Sequence, residues 1–336
     1  MKLKKLSEQV IVLTGATSGI GLVTAREAAR RGAKLVLAAR NEEALNQLCQ
    51  ELNRDKECAV CVTADVGNEA DVRKISQTAI DKFGGFDTWI NNAGVSIFGK
   101  LADVPLQDQK RLLDTNFWGV VHGSLIAAEH LKQRGGALIN VGSQASDHAL
   151  PLQGIYSASK HAVKGFTDAL RIELKEEQAP ISVTLIKPTS IDTLFVRHAK
   201  NFMDVQPKLP SPAYAPEIVA DAILFASEHP KRDIHVGSPA KMASLLNKTS
   251  PRLMDQYLQR LVFKQQRTQE PANGQGHDSL HHYGADMEER QGQAGMVRES
   301  SLMTKASMHP KATGMILAGA GLVMAALLRK STPRYR

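Results

Sequence analysis

The 336-residue sequence is short of several things, and each shortage excludes a class of protein. It has three cysteines, Cys49, Cys58 and Cys61, too few for the disulfide framework of a small secreted scaffold. Cys58 and Cys61 have the spacing of a redox or zinc pair. They stand in a strand-like run, Glu57 to Ala64, where residues three apart point to opposite faces, so core packing is expected. Aromatics make up 5% of the chain, and the lysines and arginines behind the net charge of +8 are scattered. Nucleic-acid binding asks for clustered charge with interleaved aromatics, so no nucleic-acid partner is expected and the charge reads as solvated surface plus a basic C-terminus. After the basic start at Met1–Lys5, the apolar run Val10 to Leu13 falls far short of the ~7–15 residues of a signal-peptide core. The body of the protein is therefore expected in the cytoplasm.

What is present is alternation. Short β-branched runs at Val10–Thr14, Lys34–Ala39, Ala59–Ala64, Thr88–Asn91, Ala137–Val141, Ser182–Ile186 and Asp233–Val236 alternate with amphipathic segments near Ile20–Arg31, Glu42–Leu52, Glu69–Phe83, Gln107–Gln133, Ile155–Glu177 and Pro216–Ser227. That pattern predicts an α/β fold with a Rossmann-type, doubly wound, parallel seven-stranded sheet. Ligands of such sheets bind outside the carboxyl ends of the strands, so motifs just after strands carry the most weight.

After the first strand comes Gly15-Ala16-Thr17-Ser18-Gly19-Ile20-Gly21, a glycine loop opening a helix, suited to a pyrophosphate. Its spacing differs from the dinucleotide fingerprint Gly-x-Gly-x-x-Gly. The second strand ends at Arg40, where an acidic residue would favour NAD and a basic one suits the 2′-phosphate of NADP. Ser18 leaves the glycine loop without a cation, so that phosphate would rest mainly on Arg40. Asp65-Val66 follows the third strand, where Asp65 can accept from an adenine amino group or cap the next helix. Asn91-Asn92-Ala93-Gly94 follows the fourth, a small, permissive turn. Tyr156 and Lys160 lie four apart in a helical segment and so share a face. A free phenol titrates near pH ~10, and a cation within ~4–6 Å lowers an acidic pKa by ~1–3 units, so Lys160 is expected to make Tyr156 more acidic.

Taken together these motifs resemble the short-chain dehydrogenase/reductase family over roughly the first 240 residues. The resemblance implies catalytic roles for Asn116, in Asp114-Thr115-Asn116-Phe117-Trp118-Gly119; for Ser143, after the fifth strand; and for the pair Tyr156 and Lys160. It implies that Ser143 holds the substrate oxygen and Tyr156 exchanges the hydroxyl proton. Lys160 would bind the nicotinamide ribose, and Asn116 would hold a water leading from Lys160 to solvent. Cofactor contacts are expected at Gly15, Ser18, Gly19, Ile20, Gly21, Arg40, Asp65, Val66, Asn92, Ala93, Gly94, Tyr156, Lys160, Ile191 and Thr193, with NADPH preferred over NADH. In Pro188-Thr189-Ser190-Ile191-Asp192-Thr193 the usual family glycine is replaced by Thr189, which cannot reach positive φ cheaply. Val95–Phe98, Gln144–Leu152 and Leu194–Pro212 are largely apolar and imply a small apolar ketone, aldehyde or secondary alcohol as substrate. His148 and His198 are expected as exposed loop histidines. The expected assembly is a homodimer or homotetramer. The rivals are a catalytically silent dinucleotide-binding regulator and a membrane-associated scaffold.

Residues 1–240 therefore read as the catalytic domain. Residues 241–268 read as a helical extension, with Leu245, Leu246, Leu253, Tyr257, Leu258 and Leu261 as its apolar face, broken at Pro251. Residues 269–311 turn to Gly, Gln, Ser and charge and read as a flexible linker. His277, His281 and His282 have metal-like spacing but no cysteine or carboxylate shell, so no metal is expected. Uncharged Ala312–Leu328 would reach about 25 Å as a helix, against a hydrocarbon core of ~30 Å, so 312–330 is expected as a membrane-anchoring helix.

Overall fold

The computed structural model describes residues 1–272, 278–284, 286–292, 295–309 and 313. Seven parallel strands form its centre: β1 (Val10–Thr14), β2 (Lys34–Ala39), β3 (Ala59–Thr63), β4 (Thr88–Asn91), β5 (Gly136–Val141), β6 (Ile181–Pro188) and β7 (Asp233–Val236), in the order β7-β6-β5-β4-β1-β2-β3. The order reverses between β1 and β4, and the crevice there is the ligand-binding position of such sheets.

Strand alternation builds two cores. Ile11, Leu13, Leu35, Leu37 and Ile139 face one side with Leu22 and Ala25 of α1 (Gly19–Arg30). Val12, Val36, Trp89 and Leu138 face the other with Ile75 and Ala79 of α3 (Glu69–Phe83). Helix α2 (Glu42–Leu52) lies between β2 and β3 in the chain and starts at Asn41, whose side chain accepts from Ala44 N at 3.1 Å. Each fully buried aliphatic side chain contributes about 1.5–3 kcal/mol, so a register slip that turned one strand over would forfeit a whole face.

The segment expected as one helix from Gln107 is α4 (Leu106–Leu113), a π-helical turn (Asp114–Trp118) and α5 (Gly119–Arg134). Helix α6 (Gly154–Glu176) carries Tyr156 and Lys160, and α7 (Pro216–Glu228) covers the first core. Thr189 stays out of the left-handed region, and its Oγ1 donates to Gln144 Oε1 at 3.0 Å, so the loop after β6 forms without the usual glycine.

The C-terminal third departs from expectation. Helices α8 (Ser238–Thr249) and α9 (Pro251–Tyr257) meet at Pro251, but the helical extension is anchored by Met254, Val262 and Gln266. Leu245, Leu253, Tyr257 and Leu261, read as its packing face, are exposed. The stretch 269–311, read as a flexible linker, is laid against the domain wherever it is described. Val297–Arg298 pairs with Ala213–Tyr214, Leu280 is fully buried, and Gly237 N donates to Thr304 Oγ1 at 3.0 Å beside α10 (Leu302–Met308). Main-chain hydrogen bonds and single anchoring side chains do this, and composition registers neither. Cys49 and Cys61 form a disulfide, linking α2 to β3, and Cys58 is free. No helix among the described residues is long and apolar enough to cross a membrane; residues 312–330, Thr313 apart, lie outside them.

Candidate active site

The glycine loop sits at the switch point between β1 and β4. Gly15 has φ +67°, and a Cβ there would stand 2.8 Å from Ala93 Cα. A Cβ at Gly21 would overlap the Gly15 carbonyl oxygen, so both positions need glycine for the backbone to fold this closely. Asn92 locks the loop to β4, donating from Nδ2 to the carbonyls of Thr14 and Gly15 at 3.0 Å each. Thr14 Oγ1, unnoticed in the sequence, accepts from Asn92 N and Ala93 N.

Beyond this loop lies a cavity of about 190 Å³ lined by Gly15, Ser18, Gly19, Ile20, Gly21, Arg40, Asp65, Val66, Asn92, Ala93, Gly94 and Thr193. It adjoins a second, of about 120 Å³, that holds Ser143, Tyr156, Lys160 and Ile191 and shares Ile20, Asn92, Gly94 and Thr193 with the first. All the residues expected to bind cofactor are thus brought to two connected cavities. The loop that shapes the first has the close backbone approach and helix N-terminus that a pyrophosphate needs. Asp65 does not cap the next helix: Asn68 does, accepting from Ala70 N, while Asp65 accepts from Gly67 N and from Arg111 at 2.5 Å.

Asn116 lies on the π-helical turn, fully buried. Its amide bonds both main-chain groups of Val95, at 2.8 and 2.9 Å, and reaches Ser159 Oγ at 3.2 Å. Gly94 packs between Asn116 and Lys160. Ser143 follows β5, and its Oγ accepts from Ala145 N at 3.0 Å. Tyr156 lies edge-on to Phe195, with ring centroids 5.4 Å apart. Lys160 Nζ stands 5.8 Å from the Tyr156 ring centroid and donates to Val141 O at 2.9 Å.

The electrostatics correct one expectation. Burial pushes the Tyr156 phenol up to about 12, with the Ser143 side chain pulling the other way, and burial lowers Lys160 to about 8. Loss of water, rather than Lys160, sets the direction of the phenol's shift here; the Lys160 ammonium donates to the Val141 carbonyl. At neutral pH the site therefore presents a protonated phenol beside a charged ammonium.

His148 is also corrected. It is 3% exposed, and burial lowers it to about 4. Its neighbour Asp147 ends the turn after Ser143, its N–H donating to Gln144 O at 3.1 Å and its carboxylate accepting from Lys187 Nζ at 3.1 Å and His235 Nε2 at 3.3 Å. Burial alone would raise the Asp147 carboxyl; the His235 bond and the Lys187 charge and bond outweigh it and hold it well below the usual carboxylate range. Asp147→Asn would leave the buried Lys187 ammonium with a neutral amide oxygen and the more distant Asp233 carboxylate at 3.8 Å, and a loss of about 1–3 kcal/mol is expected, read from the urea midpoint. The sign with pH follows from linkage. Below the unfolded value of ~3.9 the unfolded chain binds the extra proton, so this contribution is present above that pH and lost as pH falls through the folded value. The variant's midpoint should therefore fall less steeply with acid than the parent's.

The tail's part in the site carries no signal in composition or spacing. Ser279, Tyr283, Gly284 and Asp286 line the first cavity together with His198. Gln144 and Thr189 line the second. Among the described residues no group of three His, Cys, Asp or Glu could hold a metal ion.

Residues 9–203 match the family model for short chain dehydrogenases. The chain is 49% identical over 322 residues to the uncharacterized oxidoreductase YxnA of Bacillus subtilis (strain 168), covering 95% of this chain and 90% of that one. Over 188 residues it is 37% identical to 11-beta-hydroxysteroid dehydrogenase A of Sesamum indicum, covering 55% and 53%. Among solved structures, the fold is similar to a short-chain dehydrogenase/reductase from Burkholderia phymatum in complex with NAD (TM-score 0.66, 27% identity, 75% of this chain and 96% of that one). It is similar too to a short-chain dehydrogenase from Burkholderia cenocepacia J2315 in complex with NADP (TM-score 0.64, 25% identity, 76% and 99%). With more than half of its length matched by the family model and nearly all of it by a relative, the chain belongs to the short-chain dehydrogenase/reductase family, as an oxidoreductase that acts on CH–OH groups with a nicotinamide dinucleotide.

Proposed function

We propose that the chain is an NADP-dependent oxidoreductase interconverting an apolar ketone or aldehyde and its alcohol, with Tyr156 as general acid/base. The observation that carries this reading is the single cavity shared by Ser143, Tyr156 and Lys160, adjoining the glycine-loop cavity. The dinucleotide supplies the hydride chemistry when bound. Ser143 orients the substrate oxygen, and the Tyr156 phenol, protonated at neutral pH, gives its proton to that oxygen in carbonyl reduction and takes one back in alcohol oxidation. Lys160 holds positive charge at the same place, and Asn116 fixes the Val95 backbone that walls the site.

The cavity walls supplied by Leu150, Ile191, Phe195, Leu209 and Pro210 favour an apolar substrate, as does similarity to a relative named for a hydroxysteroid. Arg40 supports NADP. Residues 1–240 are the proposed catalytic unit, working as a homodimer or homotetramer. The exposed apolar side chains of Leu106, Trp118, Leu125 and Ile172 support self-association. The test is a spectrophotometric screen of the purified protein with NADPH and NADH against apolar carbonyls, and with both oxidised forms against secondary alcohols. Turnover with NADPH on an apolar carbonyl is the expected result. Binding of dinucleotide without turnover across the whole panel would favour the silent regulator.

A further inference from the structure

Residues 278–284 and 286–290 cross the dinucleotide groove from one end to the other. At the Arg40 end, Ser279 O accepts from the Arg40 guanidinium at 2.5 Å, and Leu280 O accepts from Arg40 at 3.2 Å and from Arg111 Nε at 3.1 Å. Two guanidinium groups thus converge on one neutral carbonyl; Asp65 pairs with Arg111, and Arg40 has the Asp65, Asp278 and Asp286 carboxylates near it without a direct ion pair to any of them among the described residues. A carbonyl oxygen is a weak partner for two cations; a phosphate ester is a strong one. At the glycine-loop end, Glu288 O accepts from Gly19 N at 3.0 Å, and Met287 N donates to Thr17 O at 2.8 Å. Gly19 opens α1, so this N–H is one of those a helix start leaves free for an anion.

Side chains pin the strap as well. Leu280 is fully buried in a cluster with Val95, Ile97, Val104 and Leu112. His281 Nε2 meets the buried Asp108 carboxylate at 2.6 Å, whose other oxygen pairs with Lys200 at 2.9 Å. Glu288 pairs with Arg197 and Glu289 with Arg26. The two adjoining cavities that a dinucleotide would span measure about 190 and 120 Å³, at the low end of the ~300–1,000 Å³ usual for a site that buries a ligand.

We propose that this C-terminal strap gates the dinucleotide groove. Its main-chain carbonyls hold Arg40, Arg111 and Gly19 N–H, the donors that phosphate oxygens of a nicotinamide dinucleotide would take, and the dinucleotide binds by displacing it. The proposal makes Arg111 a second specificity residue beside Arg40, since both are released together for a 2′-phosphate. It rests on the groove being the dinucleotide site and holds whichever dinucleotide the chain prefers.

A strap that closes the groove most of the time multiplies the apparent dissociation constant by the inverse of the open fraction. His281→Ala and, separately, Leu280→Ala in the full chain remove a pin without touching a groove donor. Dissociation constants for NADPH and NADH are read by calorimetry, and hydrogen exchange at the Ser279 and Met287 amides with and without saturating dinucleotide. The expected result is about tenfold tighter binding of both dinucleotides by each variant, and faster exchange of those amides in the parent when dinucleotide is added. His281 is partly exposed, so its truncation keeps the test alive if Leu280→Ala fails to fold. Weaker or unchanged binding, or protection of the strap amides by dinucleotide, overturns the proposal by making the strap a wall of the site. Loss of the NADPH preference alone leaves the gate intact and counts against the reading of Arg40.

Discussion

Tyr156→Phe is expected to lower kcat for carbonyl reduction by about 10²–10⁴-fold, the range for removing a positioned general acid, which is roughly 3–5 kcal/mol of barrier. The substitution keeps the ring, so the edge-on contact with Phe195 and the burial of the site survive and dinucleotide affinity should hold within about twofold. Only the proton is lost. Steady-state kinetics with the best carbonyl of the screen, beside calorimetric binding of dinucleotide, separate the two. A variant as fast as its parent would remove Tyr156 from the chemistry. The pH profile carries the same argument further. With burial setting the phenol at about 12 and the ammonium at about 8, carbonyl reduction should fall as pH rises past about 8, when Lys160 loses its charge while Tyr156 is still protonated. A fall set by phenol ionisation would come several units higher.

The sheet was legible because its signals are local. Val10–Thr14, Lys34–Ala39, Thr88–Asn91 and Asp233–Val236 read as strands from β-branched runs between glycine and polar breaks, and each is a strand with those bounds. Spacing puts Tyr156 and Lys160 on one helix face; Asn116 and Ser143 join them only through the family resemblance. What spacing cannot carry is solvation. Tyr156 and Lys160 do share a helix face, yet the sign of the phenol's shift depends on how much water it has lost and on its bond with Ser143, which belong to the packed state. His148 departs from its reading for the same reason, since a loop position says nothing of how far the side chain is buried in the packed state. The tail failed differently. A stretch of Gly, Gln, Ser and charge has too little apolar surface to form a core of its own, but residues 278–284 and 286–290 borrow one, inserting Leu280 into an existing cluster and taking main-chain bonds from Arg40, Arg111 and Gly19.

Arg40→Ala should separate the dinucleotides. If its guanidinium receives the 2′-phosphate, two charge-assisted hydrogen bonds at about 1.5–3 kcal/mol each are lost for NADPH, a weakening on the order of 10²-fold or more. NADH loses nothing at that position. Because the same guanidinium grips Ser279 O and Leu280 O, its removal also loosens the strap, which favours both dinucleotides alike. The two effects oppose each other for NADPH and act alone for NADH, so calorimetry should show NADPH binding weakened and NADH binding unchanged or improved, with their ratio shifted by the full value of the phosphate contact. Arg111→Ala should repeat the pattern at smaller amplitude, because Asp65 already neutralises that cation. Equal weakening of both dinucleotides by Arg40→Ala would place the side chain against a part they share, and the choice of NADP would lose its basis while the fold, the Tyr156 prediction and the family would stand.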